Sequence, residues 1–183
     1  MRCHSGSRSI FKTSYNLTNK PGARGDEDKI LRVRPLRRSD LDQLLGLCTE
    51  HAEYEGAVIE ESDQAERWCS AFFASPPHLY GWVCSQPGAA VEVLEGYMAA
   101  SIATSTWSAI PYVFLDCIYL RPRMRRHGIG KTMLSLLADL AHQHGCQEIQ
   151  WQTTLSNEVT FYRSIGGVPL TKVRWTLGVS LAE

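Results

Sequence analysis

A strand, a basic glycine loop and a helix follow one another directly in the second half of the chain, and this order limits the folds open to it. Residues 115–120 (LDCIYL) are mostly apolar, with β-branched and aromatic side chains, which is typical of a strand. Residues 132–144 (TMLSLLADLAHQH) carry apolar residues at helical spacing. Between them lies the sequence RRHGIGK, residues 125–131. A glycine loop that opens a helix presents backbone N–H groups to an anion, so this order predicts a site for a phosphorylated cofactor.

The loop matches neither of two common phosphate-binding motifs. A mononucleotide P-loop requires glycine five residues before Gly130, where Arg125 stands. A dinucleotide fingerprint requires a third glycine or an alanine where Met133 stands. What remains is Arg125-x-x-Gly128-x-Gly130 at the start of a helix. The alternative interpretation is an ordinary basic turn that caps a core helix.

A second motif lies near the C-terminus. The sequence Phe161-Tyr162-Arg163 falls in a predicted short helix over residues 157–165, which the pair Gly166-Gly167 ends. A strand is predicted before this helix, at residues 148–153, and another after it, at residues 171–177.

With these two motifs, the chain resembles the GCN5-related N-acetyltransferase (GNAT) superfamily over residues 29–181. The resemblance implies an α/β (α+β) fold: a mixed, largely antiparallel sheet, flanked by helices, whose two central strands splay apart. It also implies acetyl-CoA as the acyl donor and allows a homodimer. The further predicted elements agree with that order: strands at residues 30–34, 79–84, 91–104 and 110–116, and helices at residues 41–54 and 62–74.

The resemblance also assigns roles to individual residues. It implies that Tyr162 protonates the leaving thiolate; the alternative is a tyrosine that only packs. It places the cofactor's pantetheine arm on the strand and its phosphates on the loop, with a further contact from the segment before Tyr162. The cofactor-binding residues it implies are Ile118, Tyr119, Leu120, Arg125, Arg126, His127, Gly128, Ile129, Gly130, Lys131 and Asn157.

A proton acceptor is required because an amine attacks a thioester only when neutral, and alkyl amines are mostly protonated at pH 7. Asp116 is the leading candidate, since it is a lone carboxylate in an otherwise apolar strand. We expect burial to strengthen it as a base; the alternative is a structural carboxylate. Direct attack of the amine needs no nucleophilic side chain, and the position of Cys117 within the strand favours packing.

The resemblance is nearest to the diamine (spermidine/spermine) N-acetyltransferases. It implies that Glu53, Tyr54 and Glu55 bind the acceptor, although acidic residues there are also typical of a solvated loop. Three departures from that family weaken the polyamine assignment: Cys117 stands where a carboxylate is expected, Ser105-Thr106 precedes Trp107 without an acid, and Leu155 replaces a cofactor-binding asparagine. The first two predict a pocket that is less negative than a polyamine site. The acceptor is therefore a small amine: polyamine-like, an amino acid or an amine-bearing metabolite.

Composition agrees with what the resemblance implies, one small cytoplasmic enzyme domain at residues 29–183, and it predicts a flexible extension at residues 1–28. The charge is balanced, with 19 basic and 19 acidic residues, so no nucleic-acid partner is predicted. No apolar run is long enough to span a membrane. The six cysteines show no metal-ligand spacing and are interpreted as reduced thiols, and the six histidines form no ligand set.

Two alternatives to a small-molecule enzyme stay open from the sequence. A protein or peptide N-acetyltransferase would need an open groove, and a non-catalytic acyl-CoA sensor would bind the cofactor without turnover. The presence of both Asp116 and Tyr162 favours an enzyme over a sensor.

Overall fold

The computed structural model describes residues 15–17, 31–57, 63–86, 92–153, 158–171 and 176–177. The chain divides into two compact units, Met1–Gln152 and Thr153–Glu183. The described part of the first unit contains strands and α-helices with these bounds: β1 (Tyr15–Leu17), β2 (Leu31–Pro35), α1 (Leu41–Glu55), α2 (Gln64–Phe73), β3 (Tyr80–Gln86), β4 (Val93–Thr104), β5 (Pro111–Leu120), α3 (Ile129–Gln143) and β6 (Ile149–Trp151). The second unit contains α4 (Glu158–Ser164).

The strands of the first unit form one six-stranded sheet in the order β1-β2-β3-β4-β5-β6. Strands β1 to β5 pair antiparallel with their neighbours, whereas β6 runs parallel to β5. The parallel pair follows from α3, since a helix between two strands returns the chain to the same end of the sheet. The mixed, largely antiparallel sheet that the resemblance implies is thereby confirmed.

Helices cover both faces of this sheet, which explains why its central strands are apolar on both sides. On one face α3 buries the apolar residues that follow its helical spacing, together with side chains from β2 to β5; Met133, Leu137, Leu140, Met98 and Leu115 are among them. On the other face α1 and α2 pack against Val83, Leu94, Tyr97 and Tyr119. Each large apolar side chain buried in this way contributes about 1.5–3 kcal/mol.

A buried ion network fixes the start of α1 on the sheet. Arg34 on β2 is 3% exposed and donates to Asp40 at 2.7 Å and to Glu92 at 2.7 Å. Asp40 also accepts the backbone N–H of Arg37 at 2.7 Å. The hydrogen bond from Arg34 lowers the pKa of Glu92. Because all three charges are paired, the network anchors the helix without leaving a charge unsatisfied.

The predicted strands and helices between residues 30 and 165 are present, with ends that differ by up to three residues, except that the strands predicted at residues 110–116 and 115–120 form the single strand β5. Strand β1 was not predicted: it lies in the segment 1–28, most of which is outside the described residues, so the flexible extension stays a prediction. The strand predicted at residues 171–177 also lies largely outside the described residues. Among the described helices, none has the length and apolar character needed to cross a membrane.

Candidate active site

Asp116 lies in a β-bulge, where the pairing of β4 with β5 is interrupted. Ala99 pairs with Cys117 and Ala100 pairs with Leu115, so Asp116 is the extra residue of β5. A bulge redirects side chains and is common beside active sites. The Asp116 side chain is exposed, and the expectation that burial strengthens it as a base is wrong.

The bulge also exchanges the two faces of β5. Before it, Val113 and Leu115 belong to the core under α3; after it, Ile118 and Leu120 pack against that core. Tyr119 instead belongs to the core under α1. Side chains of a strand point alternately to its two faces, and one inserted residue reverses this order for every residue after it. Tyr119 therefore points towards α1.

The pairing of β5 with β6 stops where the bulge begins. Strand β6 pairs only with residues 113–115, whereas β5 continues to Leu120. Beyond Leu115, no strand in the described part of the chain pairs with this edge of β5. An unpaired strand edge offers backbone N–H and C=O groups to an extended ligand. Pairing stops at the place where the resemblance implies that the two central strands splay apart.

The N-terminus of α3 is open to an anion. The first N–H groups of a helix have no partner within it, and no side chain caps α3. Gly128 precedes the helix at a φ of 80°, and a Cβ added to Gly128 would contact nothing within 4 Å. Glycine adopts this φ without strain, and the open space lets a ligand approach the backbone. The positive end of the helix dipole therefore faces accessible space, which suits a phosphate group.

Two arginines at the start of the loop are held by carboxylates. Arg121 donates to Glu50 of α1 at 2.6 and 2.9 Å, and these hydrogen bonds lower the pKa of Glu50. Arg123 donates to Glu95 of β4 at 2.7 and 3.0 Å, and Glu95 is 2% exposed. Their charges are neutralised within the protein, so these arginines fix the loop on the sheet and on α1.

The remaining cationic side chains of the loop are placed differently. No ion pair between described residues involves Arg126, His127 or Lys131. Arg126 adopts a φ of 66°, which is uncommon for a residue with a side chain. These three side chains and the N–H groups of Ile129, Gly130 and Lys131 form the cationic part of the predicted cofactor site.

Arg125 joins the predicted cofactor loop to the predicted acceptor residues. Its Nε donates to the carbonyl of Leu120 at 2.9 Å. Its guanidinium lies 4.6 Å from the ring centre of Tyr54 and 5.9 Å from that of Tyr119. A cation over an aromatic face is attractive. The first residue of the motif thus connects the end of β5 to the last turn of α1.

The predicted acceptor residues lie at the C-terminal end of α1, which Gly56 ends at a φ of 68°. Glu53 and Glu55 are exposed, and the ring of Tyr54 is half exposed. Glu55 lies 4.0 Å from the Nε2 atom of His51. Within the first unit, therefore, Tyr54 contacts Arg125. Glu55 lies near His51, a residue to which sequence analysis assigned no function.

A polar cluster that sequence analysis missed lies between α1 and the sheet. Tyr97 of β4 is 4% exposed, and its hydroxyl lies 2.8 Å from His51 Nδ1 and 3.2 Å from Cys48 Sγ. Cys117 packs against the same core cluster as Tyr97, and its thiol donates to Asp116 Oδ2 at 3.6 Å. One signal was in the sequence: His51 follows Cys48 by three residues, on the side of α1 that faces the sheet.

Cys117 is suited to packing and hydrogen bonding rather than to nucleophilic attack. Burial, followed by the charge of Asp116, raises the pKa of its thiol to about 12. At neutral pH the thiol is therefore protonated, and the thiolate is the nucleophilic form.

The second unit contains the other predicted catalytic residue. Tyr162 lies in α4, is 9% exposed, and its ring centre is 5.2 Å from that of Phe161. The helix ends as predicted: Gly167 N–H donates to Tyr162 O at 2.9 Å, and Gly166 has a φ of 89°. The role of Tyr162 stays a prediction, and Asn157 lies outside the described residues.

Comparison with known proteins agrees with this geometry. Residues 40–166 match the model of the Acetyltransferase (GNAT) family. A thialysine N-epsilon-acetyltransferase from Caenorhabditis elegans is 33% identical over 134 residues, which cover 72% of this chain and 79% of the relative. One from Bos taurus is 27% identical over 147 residues, covering 76% and 85%.

Solved structures share the fold at lower identity. An aminoglycoside acetyltransferase from an uncultured soil metagenomic sample, in complex with sisomicin, has a TM-score of 0.67 and 15% identity, covering 82% of this chain and 97% of that one. An aminoglycoside N-acetyltransferase in complex with CoA has a TM-score of 0.64 and 19% identity, covering 83% and 97%. Since the family model spans more than half of the chain, the protein belongs to the GNAT family and is an acyltransferase.

Proposed function

We propose that the protein transfers the acetyl group of acetyl-CoA to a primary amine of a small molecule, with both substrates bound together. One observation carries the proposal: the edge of β5 that no described strand pairs with has the exposed carboxylate of Asp116 at one end and the open N-terminus of α3 beyond the other. A cofactor that joins phosphates to a thioester through an extended arm suits such an edge.

The described residues fit acetyl-CoA. The N–H groups at the start of α3, with Arg126, His127 and Lys131, would hold its phosphates, since this end of the helix is positive and carries no acidic residue in its first turn. The edge of β5 at Ile118, Tyr119 and Leu120 would hold the pantetheine arm. Because the Leu120 carbonyl already accepts a hydrogen bond from Arg125, we propose Ile118 as the main backbone contact. When bound, acetyl-CoA supplies an activated acetyl group.

Proton transfer is assigned to two side chains. Asp116 would accept a proton from the acceptor's ammonium group, which must become neutral before it attacks. Its exposure in the bulge supports this role, because a base must reach its substrate. Tyr162 would supply a proton from its hydroxyl at the end of the reaction, and its role rests on the resemblance alone.

The acceptor that we propose is an amino-acid-like amine rather than a polyamine. Arg125 places a positive charge 4.6 Å from the ring centre of Tyr54, which disfavours a polycation there. Cys117, with its protonated thiol, adds no negative charge beside Asp116. The names of the relatives point the same way, because thialysine is an amino acid with a side-chain amine.

The test measures release of the CoA thiol with thialysine, lysine, spermidine, an aminoglycoside and a lysine-containing peptide, with calorimetric titration of acetyl-CoA in parallel. We expect saturable turnover with the amino acids and a lower kcat/KM with spermidine. Turnover with the peptide alone would establish a protein acetyltransferase instead. Binding without any turnover would favour the sensor, and absence of acetyl-CoA binding would overturn the cofactor assignment.

A further inference from the structure

The side chain of Arg125 carries a positive charge that no carboxylate of the described residues neutralises. Its Nε donates to the carbonyl of Leu120 at 2.9 Å. Within the described part of the chain, its terminal nitrogens, Nη1 and Nη2, have no hydrogen-bond acceptor. A guanidinium has five N–H donors, and the Leu120 carbonyl accepts only the one on Nε. The donors at the far end of the side chain are therefore available to a ligand.

Arg125 differs in this respect from the two arginines that precede it after β5. Arg121 donates to both oxygens of Glu50, and Arg123 donates to both oxygens of Glu95. Arg125 is half-buried, yet its neighbours are aromatic instead of acidic. A cation that is partly removed from water without a counterion is stabilised when an anion binds to it.

Contacts on both sides fix the position of this guanidinium. The hydrogen bond to Leu120 ties it to the end of β5, and the ring centre of Tyr54, in the last turn of α1, lies 4.6 Å away. The ring of Tyr54 lies 6.4 Å from that of Tyr119, centre to centre. A guanidinium fixed through Nε keeps its terminal N–H groups as a planar fork, which matches the two oxygens of a carboxylate.

The proposed base lies on the same face of β5 as this fork. Cys117 donates to Asp116 Oδ2 at 3.6 Å and packs against the core under α1. Tyr119 belongs to the same core, because side chains two positions apart in a strand share a face. The Arg125 guanidinium lies 5.9 Å from the centre of the Tyr119 ring. One face of β5 therefore has a negative charge at the bulge and a positive charge at its end.

An amino acid with a side-chain amine has the complementary charges. Its side-chain ammonium would lie at Asp116, as in the proposed reaction, and its α-carboxylate at Arg125. Its α-ammonium would face Glu53 and Glu55, two exposed carboxylates in the same turn as Tyr54. A polyamine is positively charged at both ends, so its far ammonium would meet a charge of its own sign.

We propose that the side chain of Arg125 binds the α-carboxylate of the acceptor and so selects α-amino acids over amines that lack this group. The resemblance implies a cofactor role for Arg125. The proposal assigns its side chain to the acceptor instead and leaves the phosphates to the start of α3 with Arg126, His127 and Lys131. The inference rests on the proposed function, because its ligand is the acceptor of that reaction.

The first experiment compares acceptors that differ only in the carboxylate: thialysine with thialysine amide, and lysine with cadaverine. Release of the CoA thiol gives kcat/KM for each. The wild type should prefer the carboxylate by about 10- to 100-fold, as expected for hydrogen bonds between charged groups. In Arg125→Gln this preference should disappear. Because each preference is a ratio measured on one protein, a general loss of cofactor affinity or of folded protein cancels.

Three further variants sharpen the comparison. Arg125→Lys keeps the charge but loses the fork, so it should keep only part of the preference. Tyr54→Leu removes the half-exposed ring beside the guanidinium and should reduce the preference about threefold. Arg32→Gln is the matched control, since Arg32 is an exposed arginine on β2, and two strands separate β2 from β5. It should keep the wild-type preference. If Arg125→Gln does not fold, Arg125→Lys and Tyr54→Leu decide.

The second experiment measures binding without reaction. Thialysine and thialysine amide are titrated calorimetrically into the protein with saturating CoA, which has no acetyl group to transfer, and into the protein without CoA. We expect the carboxylate form to bind more tightly than the amide to the wild type, and the two to bind equally to Arg125→Gln.

Three results would contradict the carboxylate site: a wild type that does not distinguish thialysine from its amide, an undiminished preference in Arg125→Gln, or weaker acetyl-CoA binding in that variant with the preference unchanged. The last result would assign the side chain to the phosphates. A wild-type protein that binds acetyl-CoA and acetylates no amine would instead contradict the proposed function. In that case the calorimetric comparison still decides whether Arg125 binds a carboxylate.

Discussion

At the scale of single residues, the bulge gives Asp116 two properties that a regular strand would not combine. Its backbone belongs to a central strand, which holds it in place, while its side chain is exposed. Its carboxylate also has a neighbouring donor in the Cys117 thiol, 3.6 Å away. A base must be both fixed and accessible, and both conditions are met at this position.

Replacing Asp116 by asparagine should separate proton transfer from cofactor binding. Asp116→Asn keeps the shape of the side chain but removes the base, so kcat should fall by about 10²- to 10⁴-fold. Acetyl-CoA affinity, measured by calorimetry, should stay at the wild-type value because the loop is untouched. The control is Asp139→Asn, at an exposed carboxylate on α3. Full turnover in Asp116→Asn would remove this residue from the mechanism.

Sequence reasoning proposed Asp116 as the base because a lone carboxylate is conspicuous in an apolar strand. It could not find the exposure of Asp116, since the bulge depends on how β4 and β5 pair. It also could not find the contact between His51 and Tyr97, which are 46 positions apart and meet only when α1 packs on the sheet. Contacts of this kind depend on tertiary structure and leave little local pattern.

At the scale of elements, the cationic groups of α3 and of the loop before it fall into two sets: some pair with carboxylates of the protein, and others stay accessible to a ligand. Arg121 and Arg123 are paired with Glu50 and Glu95, so they hold the loop against α1 and β4. The positive end of α3 and the side chains beyond Gly128 remain accessible. In the proposed function the helix end, rather than the number of basic residues, would provide the anion site.

The two ends of α3 allow a matched test of the anion site. Gly128 and Gly145 both have a positive φ, and a Cβ at either position contacts nothing within 4 Å. Glutamate at either position should cost a similar stability, about 1–2 kcal/mol, for the left-handed backbone. Only Gly128→Glu places a negative charge at the phosphate site, so it should weaken acetyl-CoA binding at least about tenfold.

Calorimetry on both glutamate variants, with their unfolding midpoints, decides the question. Equal affinities in Gly128→Glu and Gly145→Glu would show that phosphates do not bind at the start of α3.

Element positions followed well from local patterns, and the exceptions have physical reasons. The apolar spacing from Met133 to Leu140 predicted α3, but the helix begins at Ile129, because Gly128 turns the chain into it earlier than the apolar residues indicate. Strand β1 was missed because pairing with β2 holds it in place. The sequence of that segment shows no alternation of apolar and polar residues that would predict a strand.

At the scale of the whole molecule, the core on both faces of the sheet contains ionisable groups that are stable only in their neutral form. Burial raises the pKa of Cys84 to about 12, with a smaller contribution from the charge of Glu95. Burial likewise raises the pKa of Cys117 to about 12 and raises that of Tyr97. Unfolding would expose these groups and let them ionise at ordinary values.

The protein should therefore lose stability at alkaline pH. The folded pKa of Cys84 is raised, so its contribution is fully present below the unfolded value near 9 and is lost as the pH rises towards 12. Denaturant unfolding should show a loss on the order of 2–4 kcal/mol from this group across that range. Cys84→Ala should show a weaker pH dependence than the wild type.

Cys69→Ala is the control for the alkaline experiment, because Cys69 is half-buried and lies outside both core clusters. It should keep the wild-type dependence on pH. The same slope in Cys84→Ala as in the wild type would contradict the assignment of this loss to Cys84.

The bulge at Asp116 has a consequence for how related sequences are compared. Strand β5 is two half-strands in opposite phase: positions 113 and 115 face the same core as positions 118 and 120. Suppose a homologue lacks the extra residue. If it is aligned across β5 without a gap, buried positions of one half-strand are matched with exposed positions of the other chain. A single-residue gap at position 116 in an alignment therefore marks a change in which side chains face the core. When segments of β5 are exchanged between family members, the exchange should end at this position rather than cross it.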